Sequence, residues 1–205
     1  MDSRPQAMIE IPLFPLNTVL YPGGPLPLRI FEPRYLAMIS RCLRRTEGFG
    51  VVLIKAGSET DTDEMFGVGT VAEIVDWHQG SDGLLGVTTE GRDRFQISTI
   101  DRQSDGLYIG QVELLEREPA SVVPKEYQAL ATLLPDILDD LGGRYRNIHR
   151  EYEDASWVGF RFAEILSLPV ATKQAMLGLM DPEARLSMLR PHVDASPDRL
   201  TPVVI

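Results

Sequence analysis

The feature that most limits how this chain can fold is a proline-rich apolar stretch at residues 10–35. Prolines at positions 12, 15, 22, 25, 27 and 33 lack the amide hydrogen that a helix interior requires, so no helix is expected before residue 33. The apolar residues between them are too closely spaced for a solvated loop. The stretch therefore predicts an extended ribbon packed into a core, lying at a sheet edge and turning at Gly23 and Gly24.

An amphipathic helix is predicted directly after the ribbon, over residues 33–45. Pro33 suits the first helical position, and apolar residues then recur at helical spacing. Arginines occupy the last turns, where their charge complements the helix dipole. Gly48 is expected to end the helix.

Short β segments separated by turn residues follow the helix. The expected strands are 49–54, 68–75, 84–89, 95–100 and 107–115. The polar, acidic residues 57–64 are expected to form a loop, and Gly91 is expected to end the third of these strands. Several short strands joined by turns that contain glycine and aspartate are typical of a small antiparallel barrel.

The chain changes character near residue 118, where prolines and charges separate the β region from a helical one. The first helix there is expected to be kinked or divided at Pro135. Asp154 suits the cap of the next helix. A third is predicted over 171–179, and a fourth begins at Asp181 and ends near residue 190.

These elements predict an α+β protein with three parts. A β-barrel subdomain is expected over residues 1–118 and a helical subdomain over 119–191. Residues 192–205 are expected to form a flexible tail, since they contain further prolines and no apolar periodicity.

Composition favours a soluble cytoplasmic protein. The single cysteine, Cys42, cannot form an internal disulfide, which suits a reducing compartment. No secretory signal and no apolar run of about 18 residues is seen, so no membrane contact is expected. The net charge of −10 disfavours binding to phosphate backbones, and no nucleic-acid partner is expected.

The sequence contains few groups from which a catalytic or metal site could be built. His78, His149 and His192 lack neighbouring ligands at metal-binding spacing, and Cys42 lies on the apolar side of a predicted helix. The acids at 61, 63 and 64 lack the glycine and closing glutamate of a calcium loop. No phosphate-binding G-x-x-x-x-G-K-[ST] motif occurs. No catalytic residue, metal or cofactor is predicted.

Two apolar segments remain as candidate binding surfaces, the ribbon at 11–28 and an aromatic-rich helix at 157–166. Apolar surface that is not fully used by the core is what a polypeptide-binding module offers. Composition alone favours the simpler interpretation, in which both segments are core.

The string PLFPLNTVLYPGGPLPLRIFEPRY at residues 12–35 resembles the opening of the LON substrate-binding domain, the amino-terminal domain of Lon proteases. Later blocks at residues 49–54, 68–74, 89–97 and 162–186 are similar to that family in the same order. The resemblance implies a PUA-like antiparallel β-barrel followed by a helical bundle, and a non-enzymatic role in binding polypeptides, with protein quality control as the implied setting. Since the chain ends at residue 205, before an ATPase or protease domain would begin, the resemblance suggests a free-standing member.

The family motif offers five candidate binding residues: Arg29, Phe31, Glu32, Arg34 and Tyr35. Phe31 and Tyr35 are expected to fix the helix start on the barrel, and the charged three to form an ion-pair set. A structural role is favoured over binding for all five. Two alternative functions remain: a small hydrolase or transferase with a site at the barrel–bundle junction, and RNA binding by the PUA-like barrel. The bound polypeptide and the oligomeric state are left open.

Overall fold

A computed structural model describes residues 8–194 of the chain. Within this range it contains six strands and five α-helices. The strands are β1 (Met8–Leu16), β2 (Pro25–Ile30), β3 (Phe49–Gly57), β4 (Thr62–Gln79), β5 (Leu85–Arg102) and β6 (Tyr108–Leu114). The helices are α1 (Pro33–Arg45), α2 (Gln128–Leu141), α3 (Ala155–Ile165), α4 (Val170–Gly178) and α5 (Pro182–Asp194).

The described residues form two compact units. The N-terminal unit comprises residues 8–20 and 26–117, and the C-terminal unit comprises residues 21–25 together with 118–194. All six strands except the first residue of β2 thus fall in the first unit, and α2 to α5 fall in the second. The sequence-based division into 1–118 and 119–191 stays a prediction of domain organisation.

One mixed six-stranded sheet makes up most of the N-terminal unit, which gives the protein its α+β class. The strand order is β2-β5-β4-β3-β1-β6, and β5 also pairs with β6. β1 and β3 run parallel, whereas β1–β6, β3–β4, β4–β5 and β5–β6 are antiparallel. The prediction of a wholly antiparallel sheet was therefore wrong at one pairing. A helix, α1, connects β2 to β3 and makes that parallel pairing possible.

The proline-rich ribbon forms two strands, of which only the second lies at an edge. β1 pairs with β6 along Met8–Leu13 and with β3 along Leu13–Leu16, so each half of β1 has one neighbour in register. A proline in either half can thus leave its missing N–H on the unpaired side. This arrangement explains how Pro12 and Pro15 are tolerated inside the sheet, where an edge position was predicted.

β4 and β5 form a hairpin of two 18-residue strands, much longer than predicted. Gly91 does not end a strand but pairs with Ala72 beside a register shift, and the predicted loop at 57–64 already enters β4 at Thr62. Glycine serves close packing in these strands: a Cβ on Gly69 would lie 2.5 Å from the ring of Phe95.

α1 has the predicted bounds and packs its apolar face on the core of the N-terminal unit. Met38, Ile39 and Cys42 are buried there, together with Phe14 and Phe49. The helix ends at Arg45, and the cap residue that follows it, Thr46, adopts a left-handed backbone with φ of 54°. Gly48 instead permits close packing, since a Cβ there would lie 2.7 Å from the side chain of Val71.

The turn at residues 21–25 belongs to the C-terminal unit. The Gly24 amide donates to the Tyr21 carbonyl at 3.0 Å, and Gly23 has φ of +68°. Proline followed by a glycine with positive φ is typical of a type II turn. The turn predicted at Gly23 and Gly24 is therefore a type II turn. The Tyr21 hydroxyl donates to the Lys173 carbonyl at 2.7 Å.

The helices of the C-terminal unit start mostly where the sequence predicts. The Asp154 carboxylate accepts from the Trp157 amide at 2.7 Å and caps α3. Asp181 accepts from the amides of Glu183 and Ala184 and so caps α5. α2 is not divided at Pro135, and the alternative expectation of a kink there stays a prediction. The expected end of the last helix near residue 190 was wrong, because α5 continues past Pro191 to 194. Residues 195–205 of the predicted tail lie outside the described residues.

Candidate binding surface

The five residues predicted from the ribbon–helix junction divide into buried and exposed ones. Tyr35 is 2% exposed, its ring meets that of Phe14 at a centroid distance of 4.0 Å, and burial raises its pKa to about 12. Phe31 is 63% exposed and does not fix the helix to the core as predicted. Of these two aromatic residues, only Tyr35 therefore anchors the start of α1.

Arg34 holds three segments of the N-terminal unit together. Its guanidinium donates to the carbonyls of Gly106 at 2.9 Å, Thr60 at 3.2 Å and Glu59 at 3.3 Å. Its Nη2 also lies 2.8 Å from the Glu32 carboxylate, which confirms this part of the predicted ion-pair set. Because these donors are already used and the side chain is buried, Arg34 acts within the fold.

Arg29 does not join that set. It is exposed and forms an ion pair with Asp82, which lies in the turn between β4 and β5. Residues 29–31, at the end of β2, therefore lie at the same end of the N-terminal unit as the β4–β5 turn. Phe31 is exposed and lies two residues after Arg29 in the chain.

The hairpin tip carries a large exposed aromatic residue, Trp77, at 60% exposure, with exposed Val75 beside it. The strand register explains from which face of the sheet Trp77 projects. Ile74 pairs with Thr89 and Trp77 pairs with Val87, with a β-bulge at Val75 between them. Paired residues project from the same face of a sheet, and Val87 is part of the buried core. Without the extra residue, Trp77 would project from the opposite face.

We refer to Phe31, Val75 and Trp77 as the hairpin-tip surface. Leu85 lies on β5 next to the Val87 position and is only partly buried against the core. Trp77, which projects from the same face as Val87, thus extends the apolar core to solvent. Sequence reasoning identified Phe31 but missed Trp77, whose only signal was a tryptophan next to an Asp–Gly turn in a polar segment.

Two cavities open on the N-terminal unit. One, of about 530 Å³, is lined by Glu32, Arg34, Arg102 and Asp105 among others, and carries charges of both signs. The other, of about 450 Å³, lies beside β1 and α1 and combines Ile9, Ile11 and Val71 with Arg41 and Arg45. Both are open to solvent.

Potential metal ligands and nucleophiles do not converge in residues 8–194. No group of three or more histidine, cysteine, aspartate or glutamate side chains there is placed to hold a metal ion. Cys42 is buried and its burial raises the pKa of the thiol, so the less reactive protonated form is favoured. No helix in this range is long and apolar enough to span a membrane.

Buried charges stabilise the C-terminal unit. On α3, Arg161 Nη2 lies 3.1 Å from Glu164 Oε2, and the same guanidinium donates to the Pro22 carbonyl at 2.9 Å. The Tyr145 hydroxyl donates to Glu164 Oε1 at 3.1 Å. Desolvation raises the pKa of the Glu164 carboxyl despite these partners, and it lowers the pKa of Lys173. These groups lie where they hold the 21–25 turn.

Comparison with known proteins places this geometry in a family. A model described as the ATP-dependent protease La (LON) substrate-binding domain matches residues 10–195, which is most of the chain. The chain belongs to the LON substrate-binding domain family. This LON domain is a substrate-recognition module, and the resemblance seen in the proline-rich ribbon is confirmed.

Solved structures share the fold of this LON domain. The Lon N-terminal domain protein from Xanthomonas campestris is 33% identical, with a TM-score of 0.75 over 89% of this chain and 98% of that one. The N-terminal domain of the Mycobacterium avium complex Lon protease has a TM-score of 0.60 at 17% identity, covering 93% of this chain and 100% of that one.

Full-length relatives are much longer than this LON domain. The Lon protease of Vibrio parahaemolyticus is 26% identical over 217 residues, which cover 98% of this chain and 26% of that protein. The chain spans about a quarter of the length of the curated Lon proteases that it matches.

Proposed function

We propose that this LON domain binds exposed polypeptide segments through its hairpin-tip surface. The observation that carries the proposal is the exposure of two large aromatic side chains, Phe31 and Trp77, on the N-terminal unit, where Arg29 near Phe31 pairs with Asp82 in the turn that follows the Trp77 strand. Exposed aromatic residues at the border of an apolar core supply much contact area for little loss of side-chain entropy. A substrate-recognition module needs such a surface, and the family supports this role.

The dimensions of the surface suit an extended chain. β5 lies between β2 and β4, so the backbones of these outer two strands are about 10 Å apart. That distance corresponds to about three residues of extended polypeptide. One segment would thus contact Phe31 at the end of β2 and Trp77 on β4 with side chains three residues apart.

Side-chain contacts are favoured over the addition of a strand to the sheet. β2 has a single neighbour, β5, among the described strands, but it contains Pro25 and Pro27. Each proline removes a backbone donor that an added strand would need. We therefore expect recognition to depend on apolar side chains of the bound segment.

The wider role follows from the family. We propose that the circuit of pairings β1–β3–β4–β5–β6–β1 is the PUA-like barrel of the LON domain, and that bound chains are substrates of protein quality control. The net charge of −10 supports polypeptide over nucleic-acid partners. Phe31 and Arg29 remain candidates for contact from the original five residues, whereas Glu32, Arg34 and Tyr35 are assigned to the fold.

Fluorescence anisotropy with a labelled, permanently unfolded protein tests this proposal. Wild type is expected to bind the reduced and alkylated form and not the native form of the same protein. Trp77→Ala and Phe31→Ala should each weaken binding at least about fivefold, the effect of removing an anchor residue.

Ile100→Ala is the matched control, because Ile100 is an exposed apolar residue on the other end of the same hairpin. It should bind like wild type. Equal binding by all four proteins would show that polypeptides do not use the hairpin-tip surface. No binding by wild type would remove the proposed function itself.

A further inference from the structure

We propose that the hairpin-tip surface selects segments in which an arginine or lysine stands beside a large apolar residue. This inference rests on the proposed function and specifies its substrate class. Two observations carry it: the charges of the hairpin, and the position of Trp77 next to a carboxylate without a cationic partner.

Acidic residues dominate the part of the chain that forms the hairpin tip. Residues 56–91 contain eight carboxylates and neither lysine nor arginine. The two arms near the tip, residues 73–90, carry four of them: Glu73, Asp76, Asp82 and Glu90. An apolar surface in such surroundings attracts cationic chains and repels anionic ones.

Two arginines from elsewhere in the N-terminal unit pair with three of these four and so offset two of the negative charges. Arg92 pairs with both Glu73 and Glu90, and Arg29 pairs with Asp82. No cation among residues 8–194 pairs with Asp76, which is exposed. Its Oδ1 accepts the Trp77 amide at 2.8 Å, which holds the charge against the backbone of the exposed tryptophan.

Trp77 and Asp76 together suit a cationic side chain. The face of an indole ring attracts a guanidinium or ammonium group, tryptophan being the best of the aromatic residues for this contact. Asp76 pairs with Thr88 and so projects from the other face of the hairpin, but only one peptide unit separates the two residues. The Asp76 carboxylate therefore adds to the negative potential around the ring from across the strand, an effect that physiological salt screens over about 8 Å.

The β-bulge at Val75 makes this combination possible. It turns Trp77 toward the face that carries the buried core, next to apolar Val87, while leaving Asp76 on the outer face. The bound segment would place its apolar residue against the rim of the core and its cation over the exposed ring. Val75 is thus a positioning residue for Trp77.

Three synthetic peptides with identical apolar residues and a single central arginine, glutamine or glutamate test the inference on the full chain. Wild type should bind the arginine peptide about threefold more tightly than the glutamine peptide, the size of an exposed cation–π contact. The glutamate peptide should bind most weakly.

Two variants separate the two contributions. Trp77→Leu keeps an apolar side chain and should abolish the advantage of arginine over glutamine. Asp76→Asn keeps the acceptor for the Trp77 amide and should reduce this advantage by about twofold, as for an exposed ion pair. Asp101→Asn is the matched control, because it removes an exposed carboxylate at the far end of the same hairpin.

The outcomes distinguish this inference from the function beneath it. A preference for arginine that both variants lower and the control retains would support it. Equal binding of all three peptides by wild type would overturn the selectivity while leaving polypeptide binding intact. If Asp101→Asn lowered the preference for arginine as much as Asp76→Asn does, the inference would also be overturned, because the overall negative charge of the protein would then be responsible. If no peptide and no unfolded protein binds, the proposed function fails first.

Discussion

Arg185 and Glu118, which are 67 positions apart in the sequence, form a two-point ion pair inside the C-terminal unit. Nη2 donates to Oε1 at 2.5 Å and Nη1 donates to Oε2 at 3.0 Å, and both side chains are buried. The guanidinium also lies 3.9 Å from the centre of the Phe160 ring and donates to the carbonyls of Met176 and Leu179. One arginine on α5 thus connects α3, the end of α4 and the start of the unit.

Removal of one member of this pair should be costly. Arg185→Met leaves the Glu118 carboxylate buried without its main partner, and we expect the free energy of unfolding to fall by about 3–5 kcal/mol. The double variant Arg185→Met with Glu118→Gln should lose less than the sum of the two single variants. Urea denaturation of all four proteins measures this coupling, and strictly additive losses would contradict it.

Glu164 should give the C-terminal unit a specific dependence on pH. Because burial raises the pKa of this carboxyl above its usual value of 4.5, the fold favours the protonated form. Its contribution to stability is then fully present below that value and is lost as the pH rises through the higher pKa of the folded state. The stability of wild type relative to Glu164→Gln should therefore fall as the pH rises from about 4.5.

Thermal unfolding across this pH range measures the slope, and Glu126→Gln, which removes an exposed carboxylate from the same unit, is the control. The buried Arg161 charge adds a constant offset in the glutamine variant, so only the slope is diagnostic. If the stability of wild type relative to Glu164→Gln instead rose with pH, this would contradict the assignment.

The type II turn should tolerate no side chain at Gly24. A Cβ there would lie 2.7 Å from Glu164 Oε2, 2.8 Å from Arg161 Nη2 and 3.0 Å from the Tyr21 carbonyl. We expect Gly24→Ala to lower the melting temperature by several degrees, corresponding to about 1–3 kcal/mol. Gly178→Ala is the control, since nothing lies within 4 Å of that Cβ and alanine favours the helix. Equal melting temperatures for the two variants would show that the turn is not packed as described.

Arg34 should protect the loop that it contacts. Replacing it with methionine removes donors to Gly106, Glu59 and Thr60, and we expect a loss of at least about 2 kcal/mol. Hydrogen exchange at the Ser58 amide, which donates to Asp61 within that loop, should accelerate. Arg92→Met breaks only exposed ion pairs and should cost about 1 kcal/mol or less. Unchanged exchange in Arg34→Met would contradict this role.

Much of the fold could be predicted from local patterns. The prolines forbid a helix before residue 33, and Pro33 with the following periodicity gives the bounds of α1. Asp154 and Asp181 mark helix starts by a local hydrogen bond that depends on the residue type alone. The LON family could be identified because its motif lies in this locally readable region.

The remaining features depend on contacts between distant residues. Gly91 resembles a strand breaker, yet it lies inside β5. Gly69 lies inside β4 because it accommodates the Phe95 ring. The direction of Trp77 depends on one bulge, and a shift of one residue reverses a whole strand face. The burial of Arg185 could not be predicted from local patterns, because its partner Glu118 is distant in sequence.

Tryptophan emission during a titration with unfolded polypeptide tests the central claim most directly. Trp77 is 60% exposed and Trp157, the second tryptophan of the chain, is 6% exposed, so a change on binding reports on Trp77. The account predicts a blue shift and reduced acrylamide quenching as the polypeptide covers Trp77, both absent in Trp77→Phe. Unchanged emission and quenching, while anisotropy reports saturable binding, would place the bound polypeptide elsewhere and contradict the account.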